Sequence, residues 1–347
     1  MHLKLIYSKK ELYFLKSVFL SKVEHGGASQ LCYAKHCKDV LDFSASLNPY
    51  PPDISWIPDM KLLLEYPDDS YYNLKKAIAN TFGCPPEAVC VGNGSIEVIR
   101  TYFYATIEKN DFVRIDPHTF GEYSLSVQLA GGRCTVLDDV DSRVRIICNP
   151  NNPTGSILSS SELIEIARSL EESGKLLFID EAFIDLADER QSMINKGISN
   201  VFVSRSLTKS FAVPGLRIGF GVGNPELIEK MEVIRPPWSV NAFAEDFAIK
   251  ALENLDLLEK SCELIKKEKI WLYEQFERIG INYVPSAANY ILLNIGADAS
   301  LFSKKMLDKN IFVRDCTSFG LPRSIRVAVR TREENLILVE ALEKCFQ

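Results

Sequence analysis

The middle of the chain alternates short apolar runs with amphipathic segments, a pattern that predicts strands and helices in turn. Arg143 to Pro150, RVRIICNP, reads as a buried strand, and Lys175 to Phe183, KLLFIDEAF, as another. Between them, SSSELIEIARSLEESG sets Leu163, Ile166, Ala167 and Leu170 on one helical face. Ser159 and Glu162 stand at capping-box spacing at its start, and Gly174 marks its stop. Two strands apolar on both faces and joined by a helix form a βαβ unit, hence a parallel sheet with a right-handed crossover. Asn200 to Ser206, NVFVSRS, and Leu216 to Gly223, LRIGFGVG, continue the pattern.

After Pro236 and Pro237 the pattern changes. A charged amphipathic stretch from about Asn241 to Arg278 predicts a long helix, and YILLNI, IFVRDC and SIRVAVR predict strands. A closing helix starts at Thr331, with Glu334 at capping-box spacing. The expected organisation is a large α/β domain over residues 50–235 and a small α+β domain over 236–347, with residues 1–49 packing on the small domain. The apolar stretch Leu12 to Leu20 is too short to span a bilayer and is interrupted by Lys16, so neither a membrane span nor a signal peptide is read.

Composition narrows the function classes. With 347 residues, 46% of them hydrophobic and 25% charged, the chain can bury a large core, which excludes disordered and fibrous classes. A net charge of -6 leaves no basic excess for a nucleic-acid partner, although a few local cations can hold a small anion. Nine cysteines without a C-x-x-C pair, and only four histidines, argue against a metal site or a disulfide framework and for the cytoplasm.

Ligands of parallel sheets sit at the carboxyl ends of the strands, so residues that end apolar runs carry the chemistry. Asp180 ends LLFI, an acid suited to a protonated partner. In CVGNGSIEVIRTYF, a strand end meets Gly94 and then a helix start at Ser95, whose free backbone N–H groups suit a phosphate. NPNNPTG, Asn149 to Gly155, is a rigid turn able to present the Asn152 amide inward. SLTKSFAVPGLRIG adds Lys209, Arg217 and the hydroxyls of Ser206 and Thr208. A lysine beside a phosphate cradle, an inward acid and an amide suits an aldehyde cofactor bound as a Schiff base, and pyridoxal 5'-phosphate requires all four.

The ordered set GNGS, NPNNPTG, DEAF, SLTKSFAVPGLRIG and IRVAVRTREEN resembles the fold-type I, aspartate-aminotransferase-like superfamily of pyridoxal phosphate enzymes over nearly the whole chain. The resemblance implies an α/β fold with Lys209 as the Schiff-base lysine, Asp180 as the partner of the pyridinium nitrogen and Asn152 as the donor to the phenolic oxygen. It also implies Arg326 as the anchor of the substrate carboxylate and Phe120, in HTFGEY, as the ring that stacks on the cofactor. Tyr66, in EYPDD, matches a tyrosine that reaches the neighbouring subunit's cofactor phosphate, implying a homodimer. By their own chemistry Phe120 and Tyr66 also fit core aromatics, and Ser206 and Thr208 fit loop caps.

Two branches fit, the histidinol-phosphate aminotransferases and the threonine-phosphate decarboxylases of cobalamin synthesis. HGG, His25 to Gly27, followed by LDFSASLNPY resembles the decarboxylase signature HGG and DFSANINP, and DEAFID carries Phe183 where the aminotransferases usually have tyrosine. PPWSVNAFA, VRDC and VRTREEN resemble decarboxylase segments as well. This resemblance implies decarboxylation of L-threonine O-3-phosphate, with His25, Asn48, Arg314 and Arg330 as candidates for the substrate phosphate or carboxylate. Surface or capping roles fit Arg314 and Arg330 equally. The alternatives are an aminotransferase and a non-catalytic cofactor-binding sensor, the second disfavoured because no spare basic DNA-binding segment is present. A nicotinamide dinucleotide binder would need a G-x-G-x-x-G opening a helix, and none occurs. Residues Met1 to Glu24 receive no functional account.

Overall fold

Apolar runs of about five residues become strands because they bury both faces, and the segments between them cover the sheet. The computed structural model describes residues 20–27 and 40–346, so residues 1–19 and 28–39, most of the expected N-terminal segment, lie outside the described residues. In chain order the first elements are β1 (Leu41–Asp42), α1 (Tyr72–Phe82), β2 (Val89–Asn93), α2 (Ser95–Thr106), β3 (Phe112–Arg114), α3 (Glu122–Leu129), β4 (Arg133–Thr135), β5 (Val144–Cys148), α4 (Ser160–Glu172) and β6 (Leu176–Asp180). They are followed by β7 (Val201–Ser206), α5 (Leu207–Ser210), β8 (Ile218–Val222), α6 (Pro225–Ile234), α7 (Ala242–Leu252) and α8 (Leu258–Arg278). The last are β9 (Asn282–Val284), β10 (Tyr290–Asn294), α9 (Ala299–Leu307), β11 (Ile311–Phe312), β12 (Arg314–Asp315), β13 (Ser324–Ala328) and α10 (Arg332–Phe346).

The large sheet has seven strands in the order β2-β8-β7-β6-β5-β3-β4. All run parallel except β8, which is antiparallel to both β2 and β7. That reversal matters for the site, because the start of β8 lands at the edge where its neighbours end: Asn93 pairs with Ile218, and Cys148 with Asp180. One face of the sheet is filled by rings, with Tyr102 against Phe178 at 4.8 Å and Phe178 stacked on Phe202 at 5.5 Å. The predicted βαβ unit is β5-α4-β6, and its capping box forms, Ser159 Oγ accepting from Glu162 N while Glu162 accepts from Ser159 N.

The stretch expected as one helix from Asn241 to Arg278 is two. Asn254 closes α7 by donating its side-chain amide to Lys250 O at 2.8 Å, and a 3-10 turn at Leu255–Leu257 redirects the chain into α8. Helix α7 then packs on α1 beside the large sheet, and α8 runs with α10. A second sheet, β12-β13-β10-β9, is antiparallel. The described part of the N-terminal segment is stitched to the C-terminal region by the parallel pairing of β1 with β11 and by Ala328 N donating to Phe43 O at 2.8 Å.

One polar group lies inside the apolar packing. Arg205 on β7 is 1% exposed, and its guanidinium donates to Glu181 at 3.1 Å and Asp185 at 2.7 Å over the Phe82 ring. Glu181 also accepts from Ser192 Oγ and Met193 N. Deleting the cation strands two buried carboxylates, one of them next to Asp180, so Arg205→Ala should destabilise the fold by about 3–5 kcal/mol in denaturant unfolding. A loss below about 1 kcal/mol would show that the network contributes little.

Candidate active site

The carboxyl edge of the large sheet opens into a cavity of about 320 Å³ that also touches the second sheet. Asp180, the last residue of β6, lies on its wall with Oδ2 accepting from Tyr123 Oη at 2.7 Å and Oδ1 from Ala182 N at 3.0 Å. Burial pushes its carboxyl up to about 6, against these two hydrogen bonds and the neighbouring Lys209, so it is ionised at neutral pH. Lys209 sits on α5, a single turn begun where β7 ends, and Asn48 fixes that turn by donating N–H to Lys209 O at 3.0 Å and its amide to Ser210 O at 2.8 Å. Burial, then Arg326, then Arg217 pull the Lys209 ammonium down to about 8, with Asp180 opposing them. A lysine held there is neutral for much of its time near pH 8, and hence nucleophilic.

Two further parts complete the cavity. Arg326, from β13, donates to Asn152 Oδ1 and to Ser44 O, the latter at 2.8 Å, above the Tyr290 ring. Its Nε is buried without a hydrogen-bond partner among the described residues, an orphaned donor on a buried cation that calls for an anion. At the other end, α2 starts at Ser95 with Gly94 at φ 73° and Arg217 at φ 61°. Gly94 N donates to Arg217 O at 2.9 Å, and a Cβ on Gly94 would strike the Arg217 guanidinium, so only glycine permits the approach. Ser206 Oγ and Thr208 Oγ1 lie buried 2.8 Å apart beside it. A helix N-terminus, two hydroxyls and an arginine form a cradle for a phosphate monoester.

The cavity thus gathers Lys209, Asp180, Asn152, Arg217, Arg326 and Ser95, and Phe120, Ser206, Thr208 and His25 of the expected set also line it. Phe120 meets Tyr123 edge-on at 5.5 Å. Other expected residues are not in the lining. Asn48 and Arg330 face a separate cavity with Thr331 and Glu334, where Arg330 donates to Glu334 at 2.6 Å and to Asp42 O at 2.8 Å. Arg314 donates to Glu24 O at 2.8 Å and Ser318 Oγ at 2.6 Å, holding the chain next to His25. Tyr66 is 80% exposed and rests on Trp238 at 4.7 Å, outside the cavity.

Sequence reasoning passed over Tyr123, Glu122, Ser44 and Cys148, all in the lining. Tyr123 follows Phe120 by three residues, a helical spacing that puts both rings on one side, and this was the available signal. Cys148 donates to Pro150 O at 3.3 Å, and burial pushes its thiol up to about 12, so it is packing rather than a nucleophile.

The fold and this arrangement define a family of cofactor-dependent enzymes. The chain belongs to the class I and II aminotransferases, matching that family over residues 38–342. Histidinol-phosphate aminotransferase from Moorella thermoacetica is 31% identical over 88% of this chain and 86% of its own length. A protein of Caldanaerobacter subterraneus subsp. tengcongensis named "Putative threonine-phosphate decarboxylase" is 33% identical over 87% of this chain and 89% of its own. The solved histidinol-phosphate aminotransferase from Sinorhizobium meliloti, in complex with pyridoxal-5'-phosphate, matches with a TM-score of 0.83 over 99% of this chain and 98% of that one; at 21% identity this speaks for the fold.

The lowered Lys209 ammonium has a direct consequence. Only the neutral amine attacks an aldehyde, so the rate at which cofactor-free protein takes up pyridoxal phosphate should rise with pH, pass half-maximum near 8 and level off above it. Stopped-flow absorbance across pH 6.5 to 10.5 checks this; a rate still climbing at about pH 10, where an ordinary lysine titrates, would contradict it.

Proposed function

We propose that the chain is a pyridoxal 5'-phosphate-dependent decarboxylase of L-threonine O-3-phosphate, breaking the bond between Cα and the carboxylate, releasing carbon dioxide and placing a proton on Cα to give (R)-1-amino-2-propanol O-2-phosphate. The observation that carries this is Phe183, whose ring lines the cavity 6.0 Å from Lys209 Nζ and packs edge-on against Tyr290 at 5.0 Å. A phenyl ring stands where the aminotransferase resemblance expects a hydroxyl donor, and it can donate no hydrogen bond. His25 of the HGG signature in the same lining, and the Caldanaerobacter relative, support the same choice.

The residues present fit the cofactor. Ser95, Ser206, Thr208 and Arg217 would hold its phosphate, Asp180 its ring nitrogen, Asn152 its phenolic oxygen, Phe120 its ring face and Lys209 its aldehyde carbon. When bound, pyridoxal phosphate supplies an electron sink for the pair left at Cα as a bond there breaks. Asp180, whose buried carboxylate is ionised at neutral pH, would favour a proton on the ring nitrogen. Arg326, whose Nε has no hydrogen-bond partner among the described residues, would hold the substrate carboxylate, a role that suits decarboxylation and transamination alike. Lys209, near 8, is matched to carrying a proton to Cα at neutral pH.

A homodimer fits the surface. Ile57, Leu64 and Val233 are each more than four-fifths exposed, and Tyr66 and Trp238, exposed as well, rest on each other, so the surface carries large apolar side chains that a second copy could cover. That copy would bring Tyr66 to the partner's cofactor phosphate; sedimentation should return twice the chain mass, and a monomer would remove Tyr66 from the site. The free cysteines fit a reducing cytoplasm.

The second reading, an aminotransferase for histidinol phosphate, is favoured by the Moorella relative at 31% identity. Incubating the loaded protein with L-threonine O-3-phosphate and no keto acid separates the two. Carbon dioxide over many turnovers is the expected result; none, together with conversion of the cofactor to its amine form by histidinol phosphate, would replace the decarboxylase by the aminotransferase.

A further inference from the structure

A buried carboxylate on the cavity wall has no part in the chemistry above. Glu122, the first residue of α3, is 4% exposed and lines the same cavity as Lys209. Burying a carboxylate is costly unless donors meet it, and two do. Arg100 on α2 donates to Oε2 at 3.1 Å, and His25 Nε2 lies 2.9 Å from Oε1. His25 belongs to the segment Leu20–Gly27, which reaches the cavity from the other side of the molecule: Glu24 O accepts from Arg314, and Gly27 N donates to Ser44 Oγ at 2.7 Å. Val23 of the same segment lies against Gly121, where a Cβ would come within 3.1 Å of its methyl carbon. The Glu122–His25 contact is therefore the polar tie between this segment and the helix that carries Tyr123.

With a carboxylate at Nε2, that nitrogen carries the N–H, and Nδ1 makes no hydrogen bond among the described residues. The imidazole, packed 5.9 Å from the Phe120 ring, is thus held at the wall with one nitrogen committed and one uncommitted. We propose that Glu122 is a positioning residue for substrate selection: it seats His25 on the cavity wall so that, in the doubly protonated ring, Nδ1–H donates to an anionic substituent of the substrate while Nε2–H stays on Glu122. The proposal rests on the reading above that the substrate carries a phosphate. Arg100 steadies the carboxylate through its other oxygen.

The test is a spectral titration of the cofactor-loaded protein with L-threonine O-3-phosphate and L-threonine, and with histidinol phosphate and histidinol. Glu122→Ala should weaken binding of the phosphorylated member by about tenfold to a hundredfold, as loss of a charge-assisted hydrogen bond does, and leave its dephosphorylated counterpart and the cofactor content unchanged. The double variant with His25→Ala should bind no more weakly than His25→Ala alone, because Glu122 acts through His25. Glu122→Gln, which keeps an oxygen acceptor for Nε2–H at the same volume, should recover part of the preference and guards against a simple loss of fold. Equal weakening of both members of a pair, or additive losses in the double variant, would overturn the role of Glu122 while leaving the substrate reading intact. A wild-type protein that prefers neither phosphorylated compound would overturn the substrate reading, and the proposal with it.

Discussion

A lysine amine buried beside two guanidinium groups, with one ionised carboxylate as counterweight, is the constraint on which the site depends. Arg326 and Arg217 repel the Lys209 ammonium in a region of low dielectric, a balance that an anionic ligand would complete. Burial first, and this repulsion after it, lower the amine toward neutrality, which suits Lys209 to attack an aldehyde, and the two guanidinium groups stand at the two ends of the cavity, where they suit anionic groups. Asp180 is the acid that opposes this lowering at Lys209, and the Tyr123 hydroxyl and the Ala182 N–H steady its charged form against burial.

The sheet places these charges. Because β8 alone runs backwards, its first residues meet the ends of β2 and β7 at one edge, and Arg217 arrives beside Ser206, Thr208 and the start of α2. The fit is close enough that Gly94 and Arg217 both adopt positive φ, and a side chain at Gly94 would displace the guanidinium. On the far side, Arg326 ties the second sheet to Asn152, so the two sheets meet through polar groups at the cavity rather than through apolar packing alone. Segment Leu20–Gly27 adds a third wall through His25 and Ser44.

Much of this was legible where the signal is local. Asp180 ends an apolar run and Lys209 follows the next strand by three residues, so sheet geometry puts them at one edge, and the capping box of α4 is a three-residue pattern whose chemistry acts at close range. What was hidden depends on distant partners. Nothing near Tyr123 states that its hydroxyl meets Asp180, 57 positions away, and nothing near His25 announces Glu122. Asn48 and Arg330 lie close in sequence to cavity residues, yet their side chains turn to a neighbouring cavity, which composition and spacing do not encode. The stretch from Asn241 to Arg278 kept helical periodicity on both sides of a break, so the period concealed the turn that Asn254 makes.

The central claim is that Lys209 is the amine this cavity was built to hold. Loading the protein with pyridoxal phosphate, reducing with borohydride and mapping the modified peptide by mass spectrometry tests it most directly. The account predicts a single stable adduct on Lys209, absent from Lys209→Ala. Reduction that left Lys209 unmodified, or that marked another lysine such as Lys269, whose ammonium burial also lowers to about 8, would contradict it.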